Sequence, residues 1–289
     1  MEKECPDLHD LRAIASEAGD IMRQYFHLAN RREWKADDGA GFSATPLTAA
    51  DIAINTMVLE RVVADFPHVN AIGEEGSREV PGAEYTETWD PIDGTHAFMT
   101  GSAVPAFCIA VLQRNRPIRS VIYDPLCFEP RMWDAERGGG ASLNGATIQV
   151  SAHGVLNQAQ ICMVWWGGCR YNLHAVAGRL MGAGANVQNP VSLAYFGGLV
   201  ASGSLEAAMF PGKVIWETAA MQVIVEEAGG VFLSLGRAYY EGTRDWNQNE
   251  IEIGRIPNLT GPAFEESLDL IQGKEFGQNG LSPNDKQRL

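Results

Sequence analysis

Acidic side chains stand at a few positions where a fold can gather them: Glu74 and Glu75 in IGEEGS, Asp90 and Asp93 in WDPIDGT, and Glu217 in VIWETAA. Carboxylates are hard oxygen donors, so such a group suits Mg²⁺. Two or three ions held there would activate a water and stabilise the leaving oxygen of an in-line displacement at phosphorus. The six histidines (His9, His27, His68, His96, His153, His174) show no H-x-x-x-H spacing, which makes zinc a poor candidate. The five cysteines are odd in number, spread along the chain and free of any C-x-x-C pair, against both a zinc knuckle and a disulfide framework.

The segment Asp90-Pro91-Ile92-Asp93-Gly94-Thr95 has an order with a physical logic. Trp89 is expected to end a strand and Pro91 to stiffen the turn, so that Asp90 and Asp93 point at a common centre with the Ile92 carbonyl between them. Gly94 and Thr95 then begin a helix whose free N–H groups suit a phosphate dianion. Read alone, the segment is also compatible with a tight turn carrying two exposed aspartates. Thr48 and Asp51 fit a T-x-x-D capping box, and an acidic residue such as Glu217 in a first helical turn is favoured by the macrodipole in any case. Glu75, Glu79, Glu84 and Glu87 read as a solvated acidic loop. His96 reads first as a packed or solvent-facing side chain, and Trp165, Trp166 and Trp246 as core or interface residues.

The elements that must position these residues follow from periodicity. Leu8, Leu11, Ala15, Ala18, Met22 and Tyr25 fall three or four apart and predict a helix over Asp7 to Leu28. A second helix opens at Thr48, buries Ile54, Val58, Val62 and Leu59, Val63, Phe66, and stops at Pro67. Between them, Ala36 to Pro46 lacks either period and reads as a mobile surface loop, a possible lid. AFCIAVLQ, PIRSVIYD, PRMWDAE and ATIQVS, separated by turns such as Asn144-Gly145, predict an antiparallel sheet. Beyond Ser151, strands ICMVWW and LEAAMF alternate with helices near Leu173 to Met181, Ser192 to Ala201 and Glu217 to Ala228. The expected division is an α+β half over residues 1–150 with the metal and phosphate motifs, an α/β half over 151–271 with specificity elements and the last ligand, and a polar tail over 272–289.

The chain has 289 residues, 45% hydrophobic and 20% charged, enough for a large packed core. Lys+Arg 22 against Asp+Glu 36 gives a net charge of −14, which disfavours nucleic acid or an anionic membrane as partner. MEKECPDLHD lacks the apolar core of a signal peptide, and no run approaches the roughly 20 apolar residues of a spanning helix. A cytoplasmic protein is expected. No G-x-x-x-x-G-K-[ST], G-x-S-x-G or G-x-G-x-x-G motif occurs.

With IGEE at Ile72 to Glu75, WDPIDGT at Trp89 to Thr95, TPLTAAD at Thr45 to Asp51 and WETAAMQVIVEEAGG at Trp216 to Gly230, the chain resembles the inositol monophosphatase family of Mg²⁺-dependent, lithium-sensitive phosphomonoesterases over most of its length. The resemblance implies a layered αβαβα sandwich, α+β in class, with an antiparallel-rich first half. It implies that Glu74, Asp90 and the Ile92 carbonyl hold a first metal and that Asp90, Asp93 and Glu217 hold a second. It implies that Thr95 with Asp51 positions the nucleophilic water, that the Gly94 and Thr95 amides bind phosphate, and that Lys35 lies just ahead of a loop closing over a third, weaker metal. A homodimer is implied in the same way. Three departures bear on specificity. Glu217 replaces the usual Asp, as related fructose bisphosphatases also do. Thr95-His96-Ala97-Phe98 replaces T-x-N-F, bringing His96 beside the substrate pocket, and Phe210 stands where inositol-specific members carry Glu. The HAFMTG stretch is more similar to bacterial histidinol-phosphate phosphatases. The expectation is a phosphatase of a small polyol or sugar-type monophosphate. The alternatives are a histidinol-phosphate phosphatase, a non-catalytic metal or ligand binder, or, most weakly, an interaction protein.

Overall fold

The apolar spacing read from the sequence becomes two helices packed on one face of a large sheet. A computed structural model of the protein describes residues 3–26, 33–34, 46–164, 173–189, 191–211, 215–235 and 251–255. In chain order its elements are α1 (Leu8–Phe26), β1 (Glu33–Trp34), β2 (Pro46–Leu47), α2 (Ala49–Asp65), β3 (Asn70–Gly73), β4 (Gly76–Arg78), β5 (Tyr85–Asp93), α3 (Thr95–Met99), β6 (Ala106–Gln113), β7 (Arg116–Asp124), β8 (Arg131–Glu136), β9 (Gly140–Leu143), β10 (Ala146–Thr147), β11 (Gln160–Met163), α4 (Leu173–Gly182), β12 (Asn186–Gln188), α5 (Ala194–Ala201), β13 (Ala207–Pro211), α6 (Ile215–Glu227), β14 (Val231–Leu235) and β15 (Ile251–Arg255).

Strands β10-β9-β8-β7-β6-β5-β3-β4 form an eight-stranded sheet that is antiparallel except where β3 meets β5. Leu11, Ile14, Ala15, Ala18 and Met22 of α1, with Ile54, Val58 and Val62 of α2, pack on its one face against Trp89, Phe107, Ile109 and Val121. The opposite face, with Cys108, Ala110, Ile122 and Trp133, is covered by α5 and α6. Those helices are covered in turn by a five-stranded mixed sheet, β12-β11-β13-β15-β14, through Cys162, Ala208 and Phe210. The alternate residues Ile161, Met163, Ala207 and Met209 are also buried and point to the other face, where α4 packs beside β12. The layers are α, β, α, β and α, as expected for an α+β sandwich.

Close approach of α5 is set by glycine: a Cβ at Gly198 would lie 2.6 Å from the Trp133 ring. The Asn144-Gly145 turn joins β9 to β10 with both residues at positive φ, 50° and 80°, the geometry of a two-residue hairpin loop. Some sequence expectations need correction. Val63 is 39% exposed, because the buried stripe of α2 stays narrow. ATIQVS forms only the two-residue β10; beyond it the chain leaves the sheet, and the Val150 amide donates to Ala228 O beyond the end of α6. The second half alternates strand and helix from β11 to β14 as expected, but its sheet is mixed, since β13 and β14 both pair antiparallel to β15. Of the loop expected over Ala36 to Pro46, Pro46 lies in β2 and residues 36–45 lie outside the described residues, as do Lys35, Trp165, Trp166, Trp246 and the tail from 272. Among the described residues, no helix is long and apolar enough to cross a membrane.

Candidate active site

Strand β5 does not end at Trp89 as its sequence suggested. It continues to Asp93, and its pairing with β6 breaks between Asp90 and Asp93, so Pro91 and Ile92 lie outside the ladder. Proline has no N–H to offer a ladder, which makes this irregularity the place where it is tolerated. The irregularity re-aims the two aspartates without ending the strand. The Asp90 carboxylate Oδ1 accepts from the Ile92 amide at 2.8 Å, an Asx-type turn that holds the break. The chain then reverses at Gly94, whose φ of 90° is the left-handed region. A Cβ there would also lie 2.8 Å from Val191 O and 3.1 Å from Ser192 Cβ, so glycine is required twice over.

Asp90, Asp93 and Glu217 each bring a carboxylate oxygen within 4.8 Å of the others. Glu217 reaches the aspartates from the first turn of α6, which side chains of the large sheet anchor. Cys108 Sγ of β6 donates to Trp216 O at 3.1 Å, and Ser120 Oγ of β7 donates to Ala220 O at 2.9 Å. Glu74, just after β3, is half-buried, with its amide donating to Trp89 O at 3.3 Å. It lies outside that trio, yet its charge is felt at Asp51, Asp90 and Asp93.

Asp51 divides its two oxygens. Oδ2 accepts from Thr48 N at 2.8 Å and Thr48 Oγ1 at 2.5 Å, while Thr48 Oγ1 also receives the Asp51 amide, so the capping box is formed. Oδ1 lies 3.4 Å from Thr95 Oγ1, which is also 3.0 Å from Ile92 O. Capping and a Thr95 contact are therefore served by different atoms of one side chain. Thr95 opens α3, a helix of five residues with Gly94 as its N-cap, and His96 beside it is exposed. Phe210 is buried in the core between the second sheet and the helices rather than exposed to a pocket.

The electrostatics follow from burial. Asp51 is pushed up to about 7, chiefly by burial, with its Thr48 hydrogen bonds opposing and the Glu74 and Glu75 charges adding. Asp90 is raised well above the usual carboxylate range by burial and by Glu74, Glu217 and Asp93. Asp93 is raised to about 6 by burial, and is held lower than Asp90 by hydrogen bonds from residues 192–194. Close-packed, desolvated carboxylates repel, and a divalent cation among them removes that penalty. All-oxygen donors of this kind fit Mg²⁺.

Sequence reasoning missed the partners of Asp93. Ser192 Oγ donates to Asp93 Oδ2 at 2.7 Å and the Ala194 amide donates to the same oxygen at 2.6 Å. Ser192 looked like an ordinary residue at a helix start, and no local signal tells that its hydroxyl serves a carboxylate from the other half of the chain. Glu87 was also misread: it is fully buried in β5 rather than solvated.

The model of the inositol monophosphatase family matches residues 7–267. A histidinol-phosphatase of Chlorobaculum parvum is 32% identical over 237 residues, covering 78% of this chain and 84% of that protein. A histidinol-phosphatase of Mycobacterium tuberculosis is 32% identical over 238 residues, covering 79% and 87%. Among solved structures, the extragenic suppressor protein suhB from Bartonella henselae superposes with a TM-score of 0.77 at 21% identity, covering 91% of this chain and 97% of that one.

Proposed function

The chain belongs to the inositol monophosphatase family of phosphatases, and from that premise we propose that it hydrolyses a small polyol or sugar-type monophosphate with Mg²⁺ at the Asp90, Asp93 and Glu217 group. The observation that carries this reading is the convergence of those three carboxylates within 4.8 Å beside the Asp51–Thr95 pair. Glu74, Asp90 and the Ile92 carbonyl would hold one ion, and Asp90, Asp93 and Glu217 a second. Bound there, Mg²⁺ supplies Lewis acidity toward water and toward the phosphoryl oxygens.

The protein's own groups do the orienting. Thr95 Oγ1, held between Ile92 O and Asp51 Oδ1, would fix the attacking water in line with the phosphorus–oxygen bond. Asp51 Oδ1, which faces the Thr95 hydroxyl, would receive that water's proton through it. The Gly94 and Thr95 amides would bind the phosphate, and exposed His96 would meet the alcohol part of the substrate. A cytoplasmic location, a homodimer, lithium sensitivity and the division near residue 150 belong to the same proposal.

A second reading, histidinol phosphate as substrate, is favoured by the two relatives named histidinol-phosphatase and by the HAFMTG stretch. Phosphate release from inositol 1-phosphate, histidinol phosphate, sugar phosphates and fructose 1,6-bisphosphate, each with Mg²⁺ and with EDTA, tests both. One preferred, Mg²⁺-dependent substrate is the expected result. Mg²⁺ binding without turnover of any of them would instead support a non-catalytic relative.

A further inference from the structure

Helix α5 is capped by no residue of its own. Leu193 occupies its N-cap position and offers no side-chain acceptor, so the first amides of the helix need a partner from elsewhere. That partner is Asp93, 101 residues away in sequence from Ala194. Its carboxylate accepts from Ser192 Oγ and Ala194 N, both at Oδ2. The carboxylate is fully buried, and so is Ser192. Gly94 makes the contact possible, since any side chain there would strike Val191 O and Ser192 Cβ.

An ionised carboxyl oxygen has about two lone-pair sites, and both on Oδ2 are engaged, so a cation is left to Oδ1. The start of α5 therefore fixes how Asp93 meets the group formed with Asp90 and Glu217. We propose that Ser192 is a positioning residue for the second cation site: its hydroxyl, with the Ala194 amide, locks Asp93 Oδ2 and presents Oδ1 to the ion. Metal occupancy and the seating of α5 on Trp133 and Met221 are then coupled through one carboxylate. This rests on the cation-dependent phosphatase reading above. It deepens that reading by naming a residue outside the family motifs quoted from the sequence.

The test is Mg²⁺ titration of the substrate-free protein by calorimetry, for wild type, Ser192→Ala and Ser192→Thr, with turnover measured alongside. Loss of an orienting partner of a metal ligand costs about 10-fold or more in metal affinity. Ser192→Ala is expected to weaken Mg²⁺ binding by about that factor and to raise the Mg²⁺ needed for half-maximal turnover in parallel, with kcat largely recovered at saturating Mg²⁺. Ser192→Thr, which keeps the hydroxyl, is expected to restore the affinity. Circular dichroism confirms that each variant is folded, and Ser192→Cys, close in size but a weak donor, replaces the alanine variant if that one is not. Wild-type Mg²⁺ affinity in a folded Ser192→Ala, or a loss that Ser192→Thr shares, overturns the proposal. A wild-type protein that binds Mg²⁺ but releases no phosphate overturns the phosphatase reading alone, since the affinity ratio still decides the role of Ser192. A wild-type protein that binds no Mg²⁺ overturns both.

Discussion

Strand β5 buries acidic side chains in two settings three residues apart. Asp90 and Asp93 leave its carboxyl end among hydrogen-bond donors and the carboxylate of Glu217. Glu87 lies in the same strand with neither carboxyl oxygen hydrogen-bonded among the described residues. Its ladder neighbours Ala71 and Val111 belong to the apolar layer under α1 and α2. Both settings raise the proton affinity of the acid. Glu87 reaches about 8, mainly by burial, with Asp10 adding and Arg61 opposing, while Asp90 is raised by burial and by other carboxylates. The two differ in what relieves the charge. Around Asp90 the repulsion comes from anions sharing a gap, which a divalent cation cancels. Around Glu87 the ladder neighbours are apolar, and burial itself makes a proton the relief for its charge. Burial alone therefore does not separate the two settings; a second carboxylate within reach does.

The sharpest way to break that contrast is to neutralise one acid in each setting. Asp93→Asn is expected to reduce Mg²⁺-dependent turnover by at least about 100-fold, the upper range for a residue that merely orients a ligand. Glu87→Gln, separate from the reacting group, should leave turnover within about twofold. Phosphate-release assays on both variants decide it, and comparable losses would erase the distinction. A second effect reads on stability. Ion binding to the folded state alone is worth about 2.7 kcal/mol at a hundredfold excess over Kd, a rise of roughly 5 °C or more in Tm for a chain of this size. Wild type and Glu87→Gln should show that rise between EDTA and saturating Mg²⁺, and Asp93→Asn should lose most of it.

Glu87 has its own signature in pH. Its folded-state value is raised from 4.5 to about 8, so between those limits the folded state holds a proton that the unfolded chain has released. Its contribution to stability is thus fully present below about 4.5 and is lost progressively as pH rises to about 8. Glu87→Gln removes this dependence. Thermal melts in EDTA from pH 5 to 8.5 should show wild type falling more steeply than the variant, with the variant the more stable at the alkaline end. Parallel curves would mean that Glu87 is ionised in the fold, with the Arg61 charge outweighing the cost of burial.

The two settings also differ in how far they can be read from sequence. Asp90 and Asp93 are legible from their own segment, where Pro and Gly punctuate the paired acids, whereas Glu74 and Glu217 stand out only through the blocks that resemble the family. The helices are equally legible, since burial on one face leaves a 3.6-residue period, and β6 coincides with AFCIAVLQ residue for residue. Glu87 is hidden because Thr86-Glu87-Thr88 is a run of three polar residues that reads as solvated, and only the docking of α1 and α2 on that face buries it. Ser192 is hidden for a different reason: its meaning depends on Gly94 letting a distant loop approach. Long-range contacts of that sort leave no local period. The ladder break between Asp90 and Asp93 was misread as a strand end, because proline signals both.

The smallest predicted effect separates two jobs within one side chain. Asp51 uses Oδ2 to complete the α2 capping box with Thr48 and directs Oδ1 toward Thr95. Thr48→Ala removes the hydroxyl that receives the Asp51 amide and donates to Oδ2, and loss of such a cap costs about 1 kcal/mol, or roughly 2–4 °C in Tm. Asp51→Asn keeps a carbonyl oxygen and the cap's geometry within reach, but an amide cannot take a proton at neutral pH. If Asp51 receives the proton of the attacking water, Asp51→Asn should lose far more turnover than Thr48→Ala while melting closer to wild type. If Asp51 only caps α2, the two variants should rank alike in both assays. Because the cap and the Thr95 contact use different oxygens, melting temperature and turnover report on them separately, and the two variants should move in opposite order on the two scales.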